Sequence, residues 1–85
     1  MNVGIIKSIL DNSTWIDNKN KNIYKFFNQN DLAINGVNHS HYFIQRNNNQ
    51  IALKLSTNQI YFVEYVNDFH LIIYNNDEKF KIIPE

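Results

Sequence analysis

From Trp15 to the C-terminus the chain alternates apolar and polar residues with a period of two, and short polar breaks interrupt the alternation. A period of two puts successive side chains on opposite faces of an extended strand, whereas a helix needs apolar positions three and four apart. Residues 50–56 are the clearest stretch: Ile51, Leu53 and Leu55 on one face, Ala52, Lys54 and Ser56 on the other. The breaks are Asn-rich: Asn18-Lys19-Asn20-Lys21, Asn28-Gln29-Asn30, Asn35-Gly36, Asn47-Asn48-Asn49, Thr57-Asn58, Asn67-Asp68 and Asn75-Asn76-Asp77. They recur at about the 8–12-residue spacing of an antiparallel meander. Asn35-Gly36 is the sharpest hairpin signal, because a type I′ turn needs positive φ at both central residues.

The strands expected between these breaks are 14–17, 22–27, 31–34, 37–46, 50–56, 59–66, 69–74 and 78–83, with Pro84 as the stop. No connection is long enough for a crossover helix, so antiparallel pairing is expected. Residues 5–10 break the pattern. Ile5, Ile6, Ile9 and Leu10 make one helical stripe, with Asn2 as N-cap and Asp11-Asn12-Ser13 as exit. So short a helix must dock on something apolar to persist. The fold expected is mainly β: one domain over 1–85, with a short capping helix in 1–12. Residues 13–85 form an up-and-down meander of seven or eight short strands that curls into a small barrel.

Composition narrows the function classes. Lys+Arg and Asp+Glu are 8 each and the formal charge is zero. Nucleic-acid binding needs a basic excess to release counterions, and a polybasic membrane anchor needs the same. Cys is absent, which removes disulfides, thiolate metal sites and a Cys nucleophile. No apolar run approaches a membrane span and no export signal precedes residue 13, so the expected location is the cytoplasm. There is no phosphate-binding loop, dinucleotide fingerprint or nucleophile elbow, so neither an enzyme nor a cofactor is expected. Asn occurs 16 times, so the acceptor patterns at Asn12 and Asn38 are expected by chance and carry no weight.

Two groups of residues stand out. The strand at 59–66 is apolar on both faces: Ile60, Phe62 and Val66 on one, Tyr61, Val63 and Tyr65 on the other. Two apolar faces need two covers. One is the barrel interior, and the other is the helix or a partner chain. The expected interaction surface is Tyr61, Val63 and Tyr65, and the simplest partner is a second copy of the chain. Glu64 shares a face with Ile60 and Phe62, so it is either a desolvated carboxylate or a sign that the opposite face is the buried one. The second group is His39-Ser40-His41. On a strand two His at i and i+2 face the same way and can give two nitrogens to one metal, with His70, Glu64 or Asp68 as third ligand. The alternative is a pair of solvated imidazoles beside a turn.

A short helix before Trp15, an Ile-Tyr-x-Phe-Phe strand at 23–27, the Leu-x-Ile-Asn-Gly hairpin at 32–36 and an Ile-Ile-Pro tail together resemble the lipocalin-like small β-barrel domains of bacteria. The resemblance implies an up-and-down barrel and, as an alternative function, carriage of a small hydrophobic ligand. Lipocalins place a Gly two residues before the Trp; Ser13 stands there in this chain. The resemblance supplies no binding residues. The function expected first is therefore a non-enzymatic interaction module, with the carrier and a His39/His41 metal protein as alternatives.

Overall fold

A computed structural model describes residues 3–85, apart from the side chains of Asn38 and His39. The expected N-cap, Asn2, lies outside the described residues. Helix α1 (Val3–Leu10) precedes eight strands: β1 (Ser13–Asp17), β2 (Ile23–Phe27), β3 (Asp31–Ile34), β4 (Val37–Asn47), β5 (Gln50–Leu55), β6 (Ile60–Asn67), β7 (His70–Tyr74) and β8 (Lys79–Pro84). Each strand pairs antiparallel with the next, and β8 closes on β1, so the sheet is a barrel. An eight-stranded barrel is just wide enough for side chains to fill its interior.

The inward residues follow the period of two. Trp15, Phe26, Leu32, Tyr42, Ile51, Leu53, Leu55, Val63, Leu71, Ile73, Phe80 and Ile82 form one buried cluster with Ile6 and Leu10 of α1. At about 1.5–3 kcal/mol per fully buried large apolar side chain, this cluster supplies most of the drive to fold.

α1 plugs the end of the barrel where β1 starts. Ile6 and Leu10 have no exposed surface and Trp15 only 2%. The Phe26 and Tyr42 rings meet edge-to-face at 5.1 Å. Polar clamps fix the plug at its rim. Lys7 Nζ donates to Gln29 O and Asn30 Oδ1, 3.1 and 3.0 Å away, and lies 5.6 Å from the centre of the Tyr42 ring. The Ser13 hydroxyl donates to the last carbonyls of α1, at Ile9 and Leu10, and accepts the Trp15 indole N–H at 2.7 Å. A hydroxyl at position 13 thus ends the helix and seats the indole together, which a Gly there would not do.

The turns use part of the Asn excess. Asn12, Asn28, Asn35, Asn48 and Asn58 all have positive φ, between 51° and 72°. Asn tolerates this conformation better than other residues with a side chain. Gly36 (φ 83°) is the only positive-φ Gly among the described residues. Two further turns use the side chain instead: Asn67 Oδ1 accepts Phe69 N, and Asn75 Oδ1 accepts Asp77 N and Glu78 N.

Three details depart from the strict pattern, the first being a register shift in the β6–β7 ladder between Tyr65 and Asn67 that leaves Val66 as an extra residue. The β3–β4 ladder shifts register: Ala33 pairs with Asn38 but Leu32 with Ser40, which leaves His39 as the extra residue of a bulge. Pro84 does not stop β8; it is its last residue, opposite Trp15, and Glu85 N then donates to Thr14 O. At a strand end a missing N–H costs little.

Candidate functional site

Two regions gather aromatic side chains that the core does not fully absorb, apart from singly exposed residues such as Phe69 and Val37. The first is the outer face of β4–β7. Ladder pairing sets Phe43 beside Lys54 and Lys54 beside Ile60. One step along, Gln45, Ala52, Phe62 and Tyr74 form the next row. Phe43 and Ile60 are 51% and 46% exposed. Phe62 and Tyr74 pack at 5.6 Å between ring centres, and the Tyr74 hydroxyl accepts the Gln50 amide at 3.2 Å. Ala52 points outward yet is 1% exposed, because larger neighbours close over it. Lys54 lies between Phe43 and Ile60 in the first row, and Glu64 and Lys79 border the patch.

The second is the barrel mouth, opposite α1. A cavity of about 70 Å³ opens there, lined by apolar residues and by Tyr24, Tyr61, Phe80 and Glu78. Tyr24 and Phe80 are nearly parallel, 6.0 Å apart and 9° from coplanar, while Tyr61 meets Phe80 at 6.5 Å and 72°. Burial pushes the Tyr24 hydroxyl up to about 12, with Asp17 and Glu78 adding to the rise and a hydrogen bond from Asn22 opposing it. Burial and then Glu78 raise Tyr61.

The wall between mouth and turn holds the one buried charged residue among the described residues, Asp17. Its Oδ1 caps the β1–β2 turn, accepting Lys19 N at 2.7 Å and Asn20 N at 3.3 Å. Its Oδ2 is buried without a hydrogen-bond partner. In the sequence Asp17 ends the expected first strand, where a carboxylate ordinarily stays wet. The available signal was its inward phase with Trp15.

Tyr61, Val63 and Tyr65 sit on the inner wall, not on a second surface. Val63 is 6% exposed, and both Tyr rings pack against the core. The face of β6 turned outward carries Ile60, Phe62, exposed Glu64 and Val66. Glu64 decides this phase, since an unpaired carboxylate facing the core would be costly. Tyr65 still reaches the rim, where its hydroxyl donates to Asp68 Oδ1.

His41 is 66% exposed at its side chain, and its Nδ1 lies 2.7 Å from Asp31 Oδ1. Since a carboxylate only accepts, Nδ1 carries the proton. The His39 side chain lies outside the described residues. No group of three His, Asp or Glu positioned to hold a metal occurs among the described residues. No described helix is long and apolar enough to cross a membrane. Compared with models of protein families, with curated proteins and with solved structures, the chain finds no match in any of the three.

Proposed function

We propose that this protein is a non-enzymatic interaction module that self-associates through the outer face of β4–β7. One observation carries the reading: Phe43 and Ile60, half exposed, flank the stem of Lys54 in one row of the ladder, and the packed Phe62–Tyr74 pair extends the next row. Contiguous apolar surface with a polar rim is the usual form of a protein contact. Ladder closure favours the same conclusion, because a barrel offers no free strand edge and a partner must engage side chains.

A lipocalin-like carrier would need an interior of about 300 Å³ or more. The cavity at the mouth is about 70 Å³, and the rest of the interior is filled by Phe, Leu and Ile. Metal binding through His39 and His41 has the weaker support: the Asp31 contact leaves His41 Nε2 open, but no group of three His, Asp or Glu placed to hold a metal occurs among the described residues.

Sedimentation equilibrium tests the reading. The wild-type chain is expected to dimerise by about 1 mM, and Phe43→Asp with Ile60→Asp to stay monomeric with unchanged thermal unfolding. Phe69→Asp, on an exposed turn away from the patch, is the control and leaves the dimer intact. A wild-type monomer throughout that range overturns the proposal.

A further inference from the structure

The barrel mouth combines features that the outer face lacks. Its walls are aromatic, with the Tyr61 plane set at 72° to the nearly parallel Phe80 and Tyr24 planes, so the rings form a corner. Glu78 stands in the lining, and no Lys, Arg or His does. The cations next to these residues in sequence, Lys25, Lys54, Lys79 and Lys81, alternate with the inward side chains and fall on the other phase of their strands, outside the lining. Beside the mouth Asp17 keeps one carboxylate oxygen buried and unpartnered, and Asp17 and Glu78 both act on the Tyr24 hydroxyl. Asp17 has no exposed surface and is not part of the lining, so it acts on the mouth only through the field of its charge. Ring faces attract cations within about 6 Å of their centres. Anions are disfavoured by both carboxylates.

Size sets the ligand. A cavity of about 70 Å³, open on one side, takes the end of a ligand and leaves the rest outside. A fatty chain does not fit within it, and the end of an alkylamine, unmodified or once methylated, does.

We propose that the barrel mouth is a binding site for a small alkylammonium head group, held in the corner of Tyr24, Tyr61 and Phe80 with Glu78 as counter-charge. The head group enters through the open end while its alkyl remainder stays outside. The site is independent of the β4–β7 face, and either proposal can fail alone.

The test is an NMR titration of the full chain with n-butylammonium chloride, with butan-1-ol and sodium butyrate as neutral and anionic controls. Saturable shifts of the Tyr24, Tyr61 and Phe80 ring resonances are expected with the amine, with Kd on the order of 1–10 mM for so small a ligand. Glu78→Gln, an exposed change, is expected to weaken binding about three- to fivefold. Phe80→Leu, checked for native β-sheet signal, is expected to abolish the ring shifts. Capped N-methyllysine amide binding more tightly than butylammonium would assign the head group to a protein side chain, and the reverse order to a free amine; both support the site. Equal binding of butan-1-ol, shifts unaltered by Glu78→Gln, or no saturable shift by about 50 mM overturns it.

Discussion

The two ends of the barrel are built to different standards. At the helix end Ile6, Leu10, Tyr42 and Leu71 have no exposed surface, and the rim is tied down by Lys7 and Ser13. At the mouth Tyr24, Ile34 and Tyr61 are only half buried around a cavity. The same alternation of residues produced both, so the difference comes from what each end received as a lid. A helix buries the first; at the second, four turns leave the rings partly wet. One end holds the fold, and the other is free to vary in chemistry.

The largest expected effect tests this division directly. Leu10→Ala, within the plug, should cost about 3 kcal/mol in urea unfolding, whereas Ile34→Ala at the mouth should cost about 1 kcal/mol. Equal losses would dissolve the distinction. Next comes alkaline pH. Burial, then Asp11 and Asp31, push the Tyr42 hydroxyl up to about 12. The folded chain therefore holds a proton that the unfolded chain has lost above about pH 10. Stability contributed by Tyr42 is complete below that pH and declines as pH rises towards 12, by about 2 kcal/mol. Half-exposed Tyr24 should add less. Tyr42→Phe should flatten the decline, and because its hydroxyl is buried without a partner, it should cost under about 1 kcal/mol at pH 7. A comparably small effect belongs to the mouth turns. Asn35 Oδ1 accepts Ile23 N and its Nδ2 donates to Asn22 Oδ1. Asn35→Ala should lose about 1 kcal/mol, and Asn35→Gly less, because Gly keeps the positive φ.

Most strand bounds were legible because turns and alternation agree. Asn35-Gly36 forms its hairpin with Ile34 opposite Val37, as a two-residue connection requires. What alternation lacks is a label for inside. In β6 both sets of residues are apolar, so Tyr61, Val63 and Tyr65 were legible as a face but not as the inner one; only Glu64 on the other set carried that information. Asp17 misleads in the opposite sense. A charge normally marks the outer phase, but at a strand end it turns back to cap the backbone and stays buried. The bulge at His39 leaves no mark in the residue pattern, because an extra residue in an already polar segment changes no apolar position. The aromatic corner at the mouth joins β2, β6 and β8, which only the closed barrel brings together.

Closure also has a consequence in time. Seven of the eight ladders join neighbouring strands and can form hairpin by hairpin from local encounters. The eighth, Trp15–Asp17 against Ile82–Pro84, joins residues separated by most of the chain. Loop-closure entropy grows with that separation and falls on this seam alone. Folding of this molecule should accordingly resemble a strip of fabric stitched quickly along its length and sewn into a tube at the last, slowest stitch.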